Sequence, residues 1–147
     1  MDQKELDAIV AEHGEWLNDR SKGKRAELRY SETMYNVNLQ DARFQMAKLS
    51  GINLLSSNLS NASFWCADLR CTRFRFTKLW HTDLTEAHLL YTDFSGADLY
   101  KTKLKCKLLS TRFSFVPIID TKDFSHSIRI GMINQVLEHV YMCNTGE

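Results

Sequence analysis

The groups through which this chain of 147 residues could do covalent or metal chemistry are four cysteines, a pair of mid-chain histidines and a series of aspartates. Cys66, Cys71, Cys106 and Cys143 could bridge or hold a soft metal, but no C-x-x-C spacing occurs, and His81 and His88 do not form an H-x-x-x-H pair. Asp68, Asp83, Asp93 and Asp98 recur at multiples of five residues. Acid–base catalysis instead needs two carboxylates converging on one pocket. There is no glycine-rich phosphate loop, no nucleophile elbow and no H-E-x-x-H. Neither catalytic residues nor a metal or cofactor are therefore expected. The remaining candidates are suited to recognition: Trp65, Phe76, Trp80 and Tyr100 are of the types that anchor protein interfaces.

What must position them is a five-residue beat. From Leu39 through Phe44, Leu49, Leu54 and Leu59 to Leu99 and Leu104, every fifth residue is Leu or Phe. Two residues before each beat the side chain is mostly small, as in Ala42, Ala47, Ser57, Ala62, Thr72 and Ala97. A period of five fits neither the 3.6-residue turn of a helix nor the alternation of a strand. It marks a unit that turns a corner every five residues and stacks on copies of itself.

The residues Ala67-Asp68-Leu69, Ala97-Asp98-Leu99 and Asn61-Ala62-Ser63-Phe64 resemble the A-(D/N)-L-x-x unit of the pentapeptide-repeat family, in one register from Val37 to about Lys105. The resemblance implies an all-β solenoid: a right-handed quadrilateral β-helix in which four pentapeptides make one coil. Residues twenty apart would then stand about one strand spacing apart, ~4.8 Å, and the beat residues sort into columns. Leu39, Leu59, Leu79 and Leu99 form one, and Leu49, Leu69 and Leu89 another. The four Phe fall on the other two, Phe44 under Phe64 and Phe74 under Phe94, so stacked pairs of rings are expected.

Such a stack leaves two edges to cover. Leu6, Ile9, Val10, His13, Trp16 and Leu17 recur at helical spacing behind Asp2 and Glu5, which predicts an N-terminal amphipathic helix. Eleven residues rather than ten separate Leu28 from Leu39, which marks an irregular first coil. At the other end the register fails at Lys107, resumes only at Phe113 and is followed by Pro117, which suits an edge or turn. From Ser127 to Met142, Ile130, Ile133, Val136, Leu137, Val140 and Tyr141 lie on one helical stripe. This stripe is expected to seal the last coil, and Ile133, Val136, Leu137, Val140 and Tyr141 are also candidate dimer contacts, because C-terminal segments pair two chains in several members of the family. The expected organisation is one domain over 1–147: an N-terminal helical cap over 1–25, coils over 26–118 with regular register over 37–105, and a C-terminal helical segment over 119–147.

Columns also sort the chemistry. Cys66 and Cys106 share a corner but stand two coils apart, roughly 9.6 Å, beyond disulfide reach. Free thiols imply a reducing compartment, and with neither a membrane-spanning run nor a leader pattern a cytoplasmic site is expected. Arg70, Arg73, Arg75 and Lys78 cluster in sequence, as do Lys101, Lys103, Lys105 and Lys107, but the coils disperse them, so direct nucleic-acid binding is not expected.

The family resemblance also implies an alternative role. Its quinolone-resistance and mycobacterial gyrase-binding members are strongly acidic rods that resemble duplex DNA, so this chain could inhibit or protect a DNA-acting enzyme such as gyrase or a phage-defence nuclease complex, as a phage or mobile-element protein would. Yet Val37 to Lys105 carries nine Lys and Arg against six Asp and Glu, and the whole chain is +1, whereas mimicry of phosphates needs dense negative charge. The reading preferred here is a non-catalytic module that binds a protein partner. Its contacts would be Trp80 and Tyr100, which share an outward column, with Phe76 at the neighbouring corner and Trp65, also outward, as a further contact.

Overall fold

A computed structural model describes residues 1–29, 34–106 and 110–114. It opens with helix α1, Gln3–Asn18. The expected start signal is a reciprocal capping box: the Glu5 N–H donates to Asp2 Oδ1 at 2.8 Å and the Asp2 N–H donates to Glu5 Oε2 at 3.0 Å. Leu6 and His13 are fully buried, while Ile9 and Val10 pack partly against the same core. Beyond Asn18 the chain doubles back along the helix, and the Lys24 N–H donates to the Glu12 carbonyl at 3.2 Å. Gly23 permits this approach. Its φ is +60°, and a Cβ there would lie 2.1 Å from the Glu12 oxygen.

The rest is a ladder of single parallel bridges rather than long strands. Asn38 pairs with Asn58, Asn58 with Lys78 and Lys78 with Asp98, and three further columns repeat the twenty-residue step. One turn of the solenoid therefore takes four five-residue units. Each unit uses its backbone in the same way. The beat residue donates upward, as from Leu39 N–H to the Asn58 carbonyl at 2.8 Å, and so does the residue two later, as from Asp41 to Ser60 at 3.0 Å. The residue before the beat donates downward, as from Asn58 to Val37 at 2.9 Å, and the small residue closes a local turn, as from Ala42 to Leu39 at 3.2 Å.

One N–H per unit, just after the beat, has no backbone acceptor in this scheme. The side chain before the beat supplies one where it is Asp or Asn: Asp68, Asp83, Asp93 and Asp98 accept from Arg70, Thr85, Ser95 and Tyr100 at 2.9–3.2 Å, and Asn58 does the same for Ser60. This is the physical reason for the recurrent aspartates, which serve as turn acceptors.

Corners are made by the residue two after the beat, which takes the left-handed conformation. Asp41, Met46, Cys66, Phe76, His81 and Lys101 all have φ between 53° and 62°. The inside is closed by the beat and small positions. Phe44 stacks on Phe64 at 5.4 Å between centroids and Phe74 on Phe94 at 5.0 Å, within 11° of parallel, as the columns predict. Buried threonines are satisfied across coils: the hydroxyls of Thr72, Thr82, Thr92 and Thr102 donate to the carbonyls of Leu49, Leu59, Leu69 and Leu79 in the coil beneath.

Register changes at both ends, by one residue in opposite senses. Glu27 bridges Lys48 across twenty-one residues, while Met34, fully buried, already holds the beat five residues before Leu39. The extra residue of the first coil thus falls between Leu28 and Met34. At the far end Arg112 bridges Asp93 across nineteen residues, and Phe113 stacks on Phe94 at 5.3 Å, so the beat resumes at Phe113 one residue early. Lys107, Pro117, Cys143 and the C-terminal stripe, including Ile133, Val136, Leu137, Val140 and Tyr141, lie outside the described residues.

Candidate interaction face

Trp80 and Tyr100 follow the beats Leu79 and Leu99, so the pleat turns them outward while the bridge between Lys78 and Asp98 fixes their separation. Their rings meet edge to face, centroids 6.3 Å apart at 73°. Each is nonetheless largely open to solvent, Trp80 42% and Tyr100 48% exposed. His81, at the corner, adds its ring edge-on to Tyr100 at 5.9 Å. His81, which sequence spacing offers only as a metal ligand, follows Trp80, the column mate of Tyr100 one coil below. Cations sit over the same rings: Lys78 Nζ is 5.7 Å from the Trp80 centroid and Lys101 Nζ 5.2 Å from that of Tyr100.

Phe76 stands at the adjoining corner, 58% exposed, with Arg75 5.6 Å from its centroid. Its ring packs against Gly96, one coil on, where a Cβ would come within 2.5 Å of the ring's Cδ1 and Cε1. Glycine at 96 therefore makes the room for Phe76, twenty residues earlier. Trp65, 41% exposed, follows the beat Phe64 and so belongs to the next column, above Gln45 rather than beside Trp80. Of the four aromatics singled out in the sequence, the structure joins Trp80 and Tyr100, sets Phe76 at the neighbouring corner and leaves Trp65 on a different face. Tyr35 and Tyr91 are also exposed.

The outward charges alternate in sign up the columns. Glu27 lies below Lys48 with an ion pair of 2.7 Å, Lys48 below Asp68, Arg73 below Asp93 and Asp93 below Arg112, and Asp83 below Lys103. Neither a continuous basic groove nor a continuous acidic surface results from these columns. The thiols are no better suited to attack: burial, with the hydrogen bond to Glu86 at 3.3 Å, pushes the Cys66 thiol up, and burial alone pushes Cys106 up to about 12. Cys66, Cys71 and Cys106 are unpaired. Among the described residues no three His, Cys, Asp or Glu side chains converge as metal ligands, and no helix is long and apolar enough to cross a membrane.

The family model for pentapeptide repeats matches residues 38–75 and 67–105, with eight copies of the unit. Residues 38–105 belong to the pentapeptide-repeat family. Its ladder is similar to that of a pentapeptide-repeat protein from the thylakoid lumen of Arabidopsis thaliana, with a TM-score of 0.55 at 21% identity over 69% of this chain and 71% of that one. This likeness identifies the solenoid as a right-handed β-helix. Weaker likenesses are to the pentapeptide-repeat protein Rfr23 of the cyanobacterium Cyanothece, TM-score 0.31 at 19% identity over 62% of this chain and 85% of that one, and to QnrB1, a plasmid-mediated fluoroquinolone resistance protein, TM-score 0.30 at 18% identity over 77% and 76%. No curated protein matches the chain.

Proposed function

We propose that this pentapeptide-repeat chain is a non-catalytic protein-interaction module, a quadrilateral rod closed at both ends by helical segments that presents Trp80, Tyr100 and Phe76 to a protein partner. One observation carries the reading: three large aromatic side chains stand exposed on consecutive coils where the fold itself needs none, each with a cation at its ring. Core burial does not explain them, and a bridged backbone holds them at fixed spacing, so little ordering entropy opposes binding. His81 joins this contact set through Tyr100, and Trp65 forms a separate contact on the next face. Unpaired thiols support a reducing, cytoplasmic setting. The C-terminal stripe of Ile133, Val136, Leu137, Val140 and Tyr141 is assigned to dimer contact on its sequence pattern, and light scattering on the full chain tests that assignment.

Charge alternation weighs against the alternative of an inhibitor that imitates duplex DNA. A supercoiling assay with purified gyrase gives no inhibition or protection on the preferred reading. The main test is affinity capture from host lysate with the wild type and with a Trp80→Ala, Tyr100→Ala double variant, alongside thermal melting of both. A stoichiometric protein partner lost in the variant, with melting little changed, is the expected result. A partner retained by the variant overturns the assignment of this face.

A further inference from the structure

His13 is fully buried, yet its ring makes two polar contacts that require the neutral form. Nδ1 accepts the Ala26 backbone N–H at 3.1 Å, so it carries no proton. The proton must sit on Nε2, which lies 3.1 Å from the Gln45 carbonyl and donates to it. The same ring continues an aromatic column: it lies 6.2 Å from Phe44, stacked, and 5.4 Å from Trp16, with Arg20 a further 3.6 Å above Trp16. One imidazole therefore ties together α1, the returning loop at Ala26 and the first coil at Phe44 and Gln45.

We infer that α1 is a pH-sensitive cap, latched onto the first coil by the neutral ring of His13 and released when that ring takes up a proton. A proton on Nδ1 would set a donor against the Ala26 N–H and place a charge in a site whose reaching charges are all positive, Arg25 and Arg20 from the loop and Arg43 from the ladder. The flanking carboxylates on α1, Glu12 and Glu15, are exposed to solvent. Two other polar ties between α1 and the coil do not involve the imidazole: the Gln3 side-chain amide accepts from the Asn38 N–H and donates to its carbonyl, both at 2.9 Å, in place of a bridging strand, and Asn18 Oδ1 accepts from the Arg43 guanidinium at 3.1 Å. Leu6 adds buried apolar contact. These ties, with the partly buried Ile9 and Val10, must hold the helix once His13 is charged. When the helix leaves, the Asn38 N–H and carbonyl and the Gln45 carbonyl lose their partners, which converts a sealed end into an open ladder edge.

The direction follows from linkage. Desolvation holds the folded ring below the ordinary histidine value. The latch is at full strength above about pH 6.5 and weakens as pH falls from there towards the folded value, by up to about tenfold in the closing equilibrium per pH unit.

Hydrogen exchange of the full chain at about pH 7.5 and about pH 5.5, corrected for intrinsic rates, tests this: α1 amides should lose about tenfold in protection while amides of the coils from Asn58 to Tyr100 keep theirs. Equal protection of α1 at both pH values overturns the proposal, and so does loss of the coils in step with the helix. His13→Gln, whose amide can both donate and accept, should remove the pH step; a step that persists with its α1 protected overturns the proposal. If His13→Gln leaves α1 unprotected at both pH values, nitrogen-15 spectra of the wild-type ring decide. They should show the Nε2–H neutral form for as long as α1 is protected, and a protonated ring under a protected helix contradicts the latch.

Discussion

The column of coils that begins at Leu39 carries two surfaces on one backbone. In its first two coils Asn38, Gln40, Asn58 and Asn61 bond to one another and to Asp41: Asn58 Nδ2 donates to Asn38 Oδ1 and Gln40 Oε1 at 3.3 Å, and Asn61 Nδ2 donates to Asp41 Oδ1 at 2.9 Å. In the next two coils the equivalent places hold Lys78, Trp80, His81, Asp98, Tyr100 and Lys101, whose rings contact each other and still face solvent. Bridges, left-handed corners and buried leucines are the same in both halves. The backbone leaves the outward positions free. The amide half spends its polar groups within the face, whereas the aromatic half keeps its binding atoms available.

The comparison predicts that core changes hurt both halves alike and surface changes separate them. The largest effect is expected from Leu79→Ala, which empties a fully buried beat in the lower coil of the aromatic half, directly above the amide half. It should cost about 2–5 kcal/mol in denaturant unfolding and, because coils stack in one dimension, lower exchange protection on both sides of the gap. Next comes Thr82→Val, which removes the hydroxyl that donates to the Leu59 carbonyl at 2.8 Å. A loss of about 1–2 kcal/mol is expected from the same measurement.

Asn58→Ala takes away the acceptor for the Ser60 N–H and two amide bonds; about 1 kcal/mol of stability should go, with no effect on partner capture. Lys78→Ala should change stability by less than about 1 kcal/mol, since an exposed cation over a ring contributes little, but should weaken partner binding measurably by titration. If Asn58→Ala weakens binding as much as Lys78→Ala, the two surfaces are not functionally distinct.

Most of the ladder was legible in sequence because each beat is buried by the same two neighbours, so one residue type answers one environment from Leu39 to Leu104. Met34 escaped that reading because a methionine fills the place of a leucine and the register slips just before it. The resumption at Phe113 was visible because the charge of Lys107 breaks the register at a core position; the stacking of Phe113 on Phe94 shows only in the fold. Of the face, the shared column of Trp80 and Tyr100 was legible from the number twenty. The contacts of His81 with Tyr100 and of Phe76 with Gly96 were not, since each depends on side-chain directions at a corner. His13 looked like one member of an apolar stripe; only the carbonyl of Gln45 and the N–H of Ala26, brought to its ring by the fold, set it apart.

The central claim is that the aromatic half of this face binds and the amide half does not. Its most direct test is calorimetric titration of the captured partner against three proteins: wild type, Trp80→Ala with Tyr100→Ala, and Asn58→Ala with Asn61→Ala. The account predicts that the aromatic pair loses at least about 2 kcal/mol of binding, the range of an interface hot spot, while the amide pair binds as wild type does. Equal affinity in all three, or a loss confined to the amide pair, would contradict it.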